Sequence, residues 1–557
     1  MKLHRVKFLP SGREVEIREC GTLYDAALLL GIPLKAECGG QGLCGQCLVK
    51  IEAGDCAPTP HVSITPDQER RGYRLACGAR VTGDCVVFVP EESLLPSADI
   101  DFAAVVLTED DRKRARALSG ITLSPPHEER TSNRRPLGLA LDLGTTTVVA
   151  ELVELETGSC RARAGAYNRQ LSCGADIISR IVYAERPGGL HRLRGLALET
   201  INELLAHLME HSGARSDEVL RAAMAGNTTM IHLFLGLDPS PIRLESTTRV
   251  RTRYPVIPAG EARLTLDPRT PVMFAPGIGS YVGGDVLAGV LACRIHESDQ
   301  VTLFIDAGTN GEIVLGNREW MMGCACSTGP AFEGVGISSG MMAAPGAVEA
   351  VEISAPDALP TLRTIAGAPA RGICGSGMID LMAELFRHGI LDRKGTLNGE
   401  RGCPRLEERQ GHPAYIVRRA GEGGASKEIY LNSVDLKKLL RTKAAIQAAI
   451  LTMLRCVEIE AFSIERVVIA GRLGEAINAS NAVAIGILPR VPLDRFEYIG
   501  NGSLWGANLI LLSEDKRAEI SALADRITYL DLSTHPGYMD EFIASLFIPH
   551  TDAAPLS

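Results

Sequence analysis

The amino-acid sequence predicts an α/β protein in which a small β-rich module precedes a larger region made of two similar halves. Three observations lead to this fold class. Four cysteines cluster before residue 80, apolar strand patterns alternate with helical patterns from Leu137 onward, and an Asp-x-Gly-Thr motif occurs twice in that later region. The chain has 557 residues, which is long enough for about three to four domains.

The composition excludes several classes of partner. Apolar residues make up 45% of the chain and charged residues 22%, so we expect a globular protein. The net charge of -9 provides no basic field for nucleic acid or anionic lipid, and no uninterrupted apolar stretch is long enough to span a bilayer. We therefore expect a cytoplasmic protein with neither a nucleic-acid nor a membrane partner. Its fifteen cysteines are expected to be metal ligands or reduced thiols.

The sequence divides into three segments. Strands are predicted at residues 3–8 and 13–18, and a helical pattern follows that ends at Gly31, so a β-rich module covers residues 1–90. Residues 91–136 combine crowded charges, several prolines and weak apolar periodicity, which predicts a flexible linker. Residues 137–557 alternate strand-like and helical patterns and form the larger α/β region.

The cysteine spacing in the first segment favours an iron-sulfur cluster. The stretch ECGGQGLCGQCLVKI contains Cys38-x5-Cys44-x2-Cys47, and Cys77 follows after twenty-nine intervening residues. Three clustered cysteines and a distant fourth are typical of plant-type 2Fe-2S sites, although the first gap there is four residues. Interspersed glycines permit the positive φ angles of a loop that wraps a cluster. A zinc knuckle or unligated thiols remain the alternative interpretation.

The first segment as a whole resembles the β-grasp ferredoxins. The resemblance rests on a strand hairpin, one helix, the cysteine-rich loop and later strands, and it covers residues 1 to about 90. It implies a 2Fe-2S cluster held by Cys38, Cys44, Cys47 and Cys77. Three further cysteines lie outside the ligand spacing and are expected to be structural: Cys20, Cys56 and Cys85.

Two copies of a phosphate-loop pattern occur in the larger region. LGLALDLGTTTVVAELVEL and VTLFIDAGTNGEIVLGN each contain an apolar strand, Asp-x-Gly-Thr, a polar turn and a second strand, and Asp142 and Asp306 are 164 residues apart. A carboxylate beside a tight glycine turn can hold Mg²⁺ or orient water, while threonine hydroxyls and N–H groups donate to phosphate. The candidate phosphate contacts are Gly144, Thr145, Thr146, Gly308, Thr309 and Asn310.

A third glycine turn follows the strand of VVIAGRLGEAIN. Gly471 and Gly474 lie between this strand and a helical pattern, a position that favours contact with an anion or nucleotide. An ordinary strand-to-helix turn is the alternative. Other glycine-rich turns, in AMAGNTTM, STGPAFEG and ICGSGMID, are each weak signals but together suggest the lining of a cleft.

The ordered set of loops resembles the superfamily of acetate and sugar kinases, heat-shock chaperone ATPases and actin. The resemblance covers residues 137 to about 515. It implies a duplicated, two-lobed ribonuclease H-like domain that binds ATP and Mg²⁺ between its lobes, with Asp142 and Asp306 as catalytic carboxylates. Arg472 stands where adenosine loops of this superfamily often have a second glycine.

The fusion of the two parts resembles the reductive activators of corrinoid proteins. This resemblance runs over nearly the whole chain, and the fusion is more specific than either half. It implies an iron-sulfur reductase that uses ATP and an electron from the 2Fe-2S cluster to return inactive Co(II) corrinoid to Co(I) in a methyltransfer pathway. The implied partners are a corrinoid protein, an upstream low-potential electron donor and a second copy of the chain in a homodimer.

Other functions are compatible with the same motifs. An ATP-driven activator of another low-potential protein would use the same two parts. A redox-sensing nucleotide-binding protein would use the cluster to change nucleotide affinity without delivering electrons. A small-molecule kinase fits less well, because its reaction gives the cluster no role.

Overall fold

A computed structural model describes residues 2–57, 64–95, 136–244, 250–308, 311–399, 403–471 and 476–552. These residues form two compact units. The first unit contains the described residues up to Met273, and the second contains those from Phe274 onward. The first unit thus combines the cysteine-rich module with the first half of the larger region.

The cysteine-rich module is built on one five-stranded sheet. Its strands lie in the order β2, β1, β5, β3, β4, and β1 pairs with β5 in parallel while the other neighbours are antiparallel. The strands are β1 (Leu3–Leu9), β2 (Glu14–Arg18), β3 (Leu48–Ala57), β4 (Tyr73–Leu75) and β5 (Arg80–Phe88). The helices are α1 (Leu23–Leu29) and α2 (Pro66–Arg70).

Alternating burial fixes the first strand of this sheet. Val6 and Phe8 are fully buried while their neighbours in β1 are exposed, because successive side chains of a strand point to opposite faces. Helix α1 begins at the N-cap Thr22, whose hydroxyl accepts a hydrogen bond from the backbone N–H of Asp25 in a capping box. This hairpin, helix and mixed sheet confirm the predicted β-grasp fold.

The module continues a little beyond residue 90. The backbone N–H of Lys35 donates to the Ser93 carbonyl at 2.8 Å, and that of Leu95 donates to the Pro33 carbonyl at 2.7 Å. Residues 91–95 are therefore hydrogen-bonded to the module. The remainder of the predicted linker, residues 96–135, lies outside the described residues.

The rest of the first unit is a lobe with a six-stranded sheet in the order β10, β11, β9, β6, β7, β8. The strands are β6 (Leu137–Leu143), β7 (Thr147–Glu154), β8 (Cys160–Tyr167), β9 (Val219–Gly226), β10 (Ile257–Pro258) and β11 (Pro271–Phe274). The helices are α3 (Ile177–Ala184), α4 (Gly189–Ser212), α5 (Thr228–Leu235), α6 (Ser240–Leu244) and α7 (Ala259–Ala262).

The second unit has a six-stranded sheet in the order β22, β21, β12, β13, β14, β23, and two three-stranded sheets. Its strands are β12 (Thr302–Ala307), β13 (Gly311–Gly316), β14 (Met321–Cys326), β15 (Ala347–Glu352), β16 (Thr361–Thr364), β17 (Gly372–Ile373), β18 (Leu406–Arg409), β19 (His412–Arg418), β20 (Ile429–Asn432), β21 (Arg466–Ala470), β22 (Phe496–Gly500) and β23 (Ile527–Tyr529). Its helices are α8 (Gly284–Cys293), α9 (Gly375–Arg387), α10 (Ser433–Cys456), α11 (Ala479–Ala484), α12 (Gly502–Leu512), α13 (Glu514–Arg526) and α14 (Tyr538–Ser545).

The two large sheets repeat the same arrangement. In each, three consecutive strands form an antiparallel meander, and a later strand pairs in parallel with the first: β9 with β6, and β21 with β12. Asp142 and Asp306 are each the second-last residue of the first strand, opposite Ala225 and Ala470 respectively. The duplicated fold predicted from the repeated Asp-x-Gly-Thr motif is confirmed.

Helix α10 forms the centre of the second unit. Its apolar side chains, including Ala445, Ala449 and Met453, are buried in the core of that unit. The apolar pattern of residues 439–459 is compatible with core packing or with subunit contact, and this burial shows that core packing uses it. No helix among the described residues combines the length and the apolar character needed to cross a bilayer.

A buried lysine ties this helix to the end of the chain. The Lys443 ammonium donates to the carbonyl of Ser545 at 2.7 Å, of Phe547 at 2.7 Å and of Pro549 at 2.5 Å. The Lys443→Met substitution should lower the free energy of unfolding by about 3 kcal/mol, because it leaves buried carbonyls unpaired. Denaturant titration measures this, with the exposed Lys437→Met as a control expected to be neutral. Equal stability of the two variants would contradict it.

Candidate functional site

The four predicted cluster cysteines meet at one place in the ferredoxin-like module. The Cys47 and Cys77 sulfurs are 3.4 Å apart, and the Cys44 thiol donates a hydrogen bond to the Cys38 sulfur. Electrostatic interactions also join Cys44 to Cys47, and Cys38 to Cys77. The four side chains therefore form a closed group, although Cys77 is distant in the sequence.

The loop carrying three of these cysteines depends on glycine. Gly39, Gly40, Gly42 and Gly45 have φ angles of +62°, +78°, +78° and +73°. This left-handed region is accessible to glycine at little cost. The turns direct backbone N–H groups toward sulfur, and the N–H of Leu43 donates to the Cys38 sulfur at 3.4 Å.

Hydrogen bonding within each sulfur pair lowers the pKa of one member, Cys38 or Cys77, and raises the pKa of the other, Cys44 or Cys47. The hydrogen bond from the Cys44 thiol, together with backbone N–H donors, lowers the pKa of Cys38 to about 4 even though burial raises it. The Cys47 thiol and the N–H of Gly42 lower the pKa of Cys77. Four sulfurs, two of them already favoured as anions and supplied with N–H donors, fit the chemistry of a 2Fe-2S cluster.

Two of the cysteines assigned structural roles form a separate pair. Cys56 lies on β3 and Cys85 on β5, and the hydrogen bond from the Cys85 thiol lowers the pKa of Cys56. Cys20 is exposed.

The first phosphate loop begins where β6 ends. A side chain at Gly144 would place its Cβ 2.5 Å from the Thr147 carbonyl oxygen, so the tight turn requires glycine. The Thr145 hydroxyl is buried and accepts a hydrogen bond from the Asn227 side-chain amide at 3.0 Å. Asn227 follows the end of β9, so the neighbouring parallel strand supports the loop.

Buried donors hold three consecutive carbonyls of this loop inside the lobe. The Asn168 side-chain amide donates to the Gly144 carbonyl at 2.9 Å, and the Asn168 backbone N–H donates to the Thr146 carbonyl at 2.8 Å. The Arg180 guanidinium donates to the Thr145 carbonyl at 2.6 Å. Carbonyl oxygens that would repel a phosphate are thereby engaged by the protein.

Sequence reasoning missed Asn168 and Arg180. Arg180 is fully buried on α3, between Ser179 and Ile181. An arginine among the buried positions of an amphipathic helix was the available signal, because a buried guanidinium needs several acceptors.

The second phosphate loop is only partly described. Asp306 lies near the end of β12, and Gly308 follows as an exposed residue. Gly471 follows the last residue of the neighbouring strand β21 and has a φ of +86°, and a Cβ there would lie 3.1 Å from an Asp306 carboxylate oxygen. The structure therefore brings Gly471 and Asp306 together. Three other predicted contacts lie outside the described residues: Thr309, Asn310 and Gly474.

Within the first unit, the ferredoxin-like module is docked on the lobe. We name residues Ser172–Ala175 the docking segment. The Tyr24 hydroxyl donates to the Ser172 carbonyl, and the Ala175 backbone N–H donates to the Glu37 carbonyl at 3.0 Å. A Cβ at Gly39 would lie 2.6 Å from the Cys173 carbonyl oxygen. The cluster loop therefore touches the lobe through its own backbone.

A second contact lies at the edge of this interface. The Arg192 guanidinium donates to the Leu28 carbonyl at 2.8 Å and thereby connects α4 to α1. A Cβ at Gly40 would lie 2.7 Å from the Tyr24 ring and 3.3 Å from the Arg186 guanidinium. Gly39 and Gly40 thus satisfy two constraints, the turn around the cysteines and the close approach of the lobe.

Models of known protein families match the ferredoxin-like module and both halves of the larger region. The model of the 2Fe-2S iron-sulfur cluster binding domain matches residues 6–82, that of the RACo middle region matches 137–298, and that of the C-terminal domain of RACo, the ASKHA domain, matches 300–557. A solved structure of a reductive activator for corrinoid, iron-sulfur protein is 37% identical, with a TM-score of 0.72 and coverage of 99% of both chains. The chain belongs to the family of reductive activators of corrinoid proteins.

Curated relatives agree with this assignment. The corrinoid activation enzyme RamQ of Eubacterium limosum is 28% identical over 97% of this chain and 98% of its own length. A [Co(II) methylated amine-specific corrinoid protein] reductase of Methanosarcina barkeri is 24% identical over 73% of this chain and 76% of its own length. The 2Fe-2S domain match also decides between the iron-sulfur and zinc interpretations of the cysteine spacing in this reductive activator.

The cluster geometry predicts the effect of one serine substitution. The Cys47→Ser variant should lose most of its iron, from about two atoms per chain, together with its visible absorption, because a hydroxyl is a poor ligand for a four-thiolate cluster. Iron analysis and absorption spectra measure this. Cys20→Ser is the matched control and should retain the cluster, since Cys20 is an exposed cysteine outside the group. Full iron content in Cys47→Ser would refute the ligand set.

The turn at Gly144 predicts a nucleotide defect that leaves the cluster intact. Gly144→Val should weaken ATP binding at least about tenfold, because the added side chain collides with the Thr147 carbonyl and distorts the loop. Gly165→Ala in β8 is the control, since its Cβ would have only ordinary contacts from 3.6 Å. Equilibrium nucleotide titration compares them. The prediction fails if both variants bind ATP like the unmodified protein.

Proposed function

We propose that this protein is an ATP-dependent iron-sulfur reductase that returns an inactive Co(II) corrinoid protein to the Co(I) state in a methyltransfer system. The observation that carries the proposal is that the four-cysteine group and the first phosphate loop belong to one compact unit and are connected through the docking segment and the Arg180 side chain. A chain built in this way can make electron delivery depend on nucleotide.

The electron-transfer site is the cysteine group. Cys38, Cys44, Cys47 and Cys77 would hold the 2Fe-2S cluster, which when bound supplies one electron at low potential. Backbone N–H groups of the loop stabilise the negative charge on sulfur, and three of the four cysteines are partly exposed while Cys47 is buried. The chain's own contribution is to fix this geometry and to leave one side accessible.

The nucleotide site is assigned to the phosphate loops. We propose Asp142 and Asp306 as the carboxylates that hold Mg²⁺ and orient the attacking water. The phosphate would be bound by loop amides and hydroxyls, and the adenosine side by the turn after β21. The assigned contacts are Gly144, Thr145, Thr146, Gly308, Thr309, Asn310, Gly471 and Gly474.

Thermodynamics explains why ATP is needed. A plant-type 2Fe-2S cluster has a potential near about -400 mV. We expect the Co(II)/Co(I) couple of the corrinoid to lie lower, and each 100 mV of difference costs about 2.3 kcal/mol for one electron. ATP can offset that cost only if its binding or hydrolysis distinguishes two states of the complex.

The surface around the cysteines indicates how a partner docks. The loop from Cys38 to Val49 contains no charged residue, and Leu43 at its tip is 74% exposed. An exposed leucine beside a redox site favours an apolar contact over charge pairing. We propose the corrinoid protein as the partner at this surface, because the named relatives act on corrinoid proteins.

The remaining partners and the compartment follow from the same assignment. An upstream low-potential donor must reduce the cluster between turnovers, and a homodimer remains part of the proposal without support from α10. All fifteen cysteines are free, which is typical of a reducing compartment. We therefore place the protein in the cytoplasm.

An anaerobic assay tests the proposed function. Reduced protein is mixed with a Co(II) corrinoid protein, and the Co(I) absorption band is followed with and without ATP. Asp306→Asn should lower ATP-dependent Co(I) formation at least about a hundredfold while keeping the cluster, because it removes a carboxylate proposed to position Mg²⁺ or water.

The control for this assay is an exposed acid on the same unit. Asp299 forms an ion pair with Arg318 at 2.7 Å, and Asp299→Asn should leave Co(I) formation unchanged. Two results would oppose the proposal. Co(I) formation that is equally fast without ATP would show that the reaction does not use the phosphate loops. ATP hydrolysis without any Co(I) formation would favour the redox-sensing alternative.

A further inference from the structure

Two sets of contacts converge on the docking segment, Ser172–Ala175. From the ferredoxin-like module, the Tyr24 hydroxyl donates to the Ser172 carbonyl and the Glu37 carbonyl accepts from the Ala175 N–H. From inside the lobe, the Arg180 guanidinium donates to the Gly174 carbonyl at 2.9 Å. The docking segment is therefore held from both sides.

Arg180 also reaches the nucleotide loop. Its Nη2 donates to the Thr145 carbonyl at 2.6 Å, and its Nη1 donates to the Gln170 side-chain oxygen at 3.1 Å. The side chain is fully buried, so these bonds are shielded from water. One planar guanidinium thus spans the first phosphate loop and the docking segment.

On the side that faces the ferredoxin-like module, the docking segment contacts both neighbours of Cys38, which is a proposed cluster ligand. Glu37 and Gly39 flank Cys38, and both touch the docking segment through backbone atoms. The chain of contacts from Thr145 to Cys38 therefore needs only Arg180 and the docking segment between them.

The docking segment is tightly packed and has little freedom to absorb a displacement. A Cβ at Gly174 would lie 2.4 Å from the Ser179 hydroxyl oxygen, and Ser179 is next to Arg180 on α3. The capping box of α3 fixes the same corner, since the Ser179 N–H donates to the Asp176 carboxylate at 2.7 Å. A shift of the cluster loop must therefore move α3 and Arg180 with it.

We propose that Arg180 is a positioning residue that couples nucleotide binding at the first phosphate loop to the seating of the cluster loop on the lobe. The inference rests on the proposed function. Docking orders the docking segment, and Arg180 extends that order to Thr145, so nucleotide binds more tightly to the docked form. By linkage, nucleotide strengthens docking by the same factor.

The coupling has a functional consequence. With nucleotide bound, the cluster loop is held on the lobe by Glu37 and Gly39 while Leu43 remains exposed to a partner. Electron delivery would then occur from a seated loop of fixed geometry.

The experiment measures nucleotide affinity, independently of corrinoid reduction. A non-hydrolysable ATP analogue is titrated with Mg²⁺ into full-length protein carrying its oxidised cluster. The double variant Tyr24→Phe/Arg192→Met removes two docking hydrogen bonds and should weaken binding about fivefold. Arg180→Lys should weaken binding to a similar extent. Adding the docking variant to Arg180→Lys should cause no further loss, because the connection is already broken.

A second readout distinguishes coupling from mere structure. In the unmodified protein the analogue should alter the electron paramagnetic resonance spectrum of the reduced cluster, and in Arg180→Lys this response should be absent. Arg169→Met is the control, since it changes only a side chain that pairs with Glu203 on the lobe surface at 2.7 Å and leaves the Arg169 backbone carbonyl, which accepts from the Ser172 hydroxyl, in place. It should retain both the affinity and the spectral response.

Either of two results would overturn the inference. Unchanged affinity in the folded docking variant excludes coupling, whatever Arg180→Lys does. Losses that multiply in the combined variant show that docking and Arg180 act independently. These results leave the proposed function standing if Co(I) is still formed with ATP. Absence of Co(I) formation combined with intact coupling would instead remove the proposed function alone.

Discussion

The first phosphate loop and the cluster loop both have unusual backbone shapes, and each can form only if its backbone N–H and carbonyl groups have hydrogen-bond partners. The first phosphate loop keeps three carbonyls bonded inside the lobe through Asn168 and Arg180. The cluster loop does the reverse and turns N–H groups toward sulfur. We propose that each loop thereby presents donors to a negatively charged ligand, phosphate in one case and thiolate with its metal in the other. A buried unpaired carbonyl would cost about 1–3 kcal/mol, so both loops are possible only with their supporting residues in place.

The same constraint explains why the two functions share one compact unit. Gly39 and Gly40 bend the cluster loop around the cysteines, and the absence of side chains also lets the lobe approach within contact distance. The docking segment contacts the cluster loop through its own backbone groups. The cysteine group and the first phosphate loop are therefore connected through main-chain hydrogen bonds and one buried guanidinium, a rigid link compared with a linker alone.

The fold class, the grouping of the four cysteines and the duplication of the larger region could be predicted from the sequence. The cysteine spacing predicted that four cysteines lie together, and the repeated Asp-x-Gly-Thr motif predicted the duplicated sheets, because both patterns are local. The supporting contacts could not be predicted, since they join residues far apart in the chain. Tyr24 and Ser172 are separated by 148 positions, and Arg180 and Thr145 by 35. The glycines of the cluster loop were interpreted through the turn alone. The apolar face of α10 was ambiguous because core packing and subunit contact produce the same pattern.

In the proposed reaction, one electron leaves the cluster for cobalt only when nucleotide is present. A single-turnover experiment tests it most directly: protein with a pre-reduced cluster and no further reductant is mixed anaerobically with excess Co(II) corrinoid protein. Cluster oxidation and Co(I) formation are recorded together. We expect about one Co(I) per cluster oxidised when ATP is present, and neither cluster oxidation nor Co(I) formation without ATP. Cobalt reduction without cluster oxidation would show that the cluster is not the donor, and equal reduction in the absence of ATP would show that nucleotide does not control the transfer.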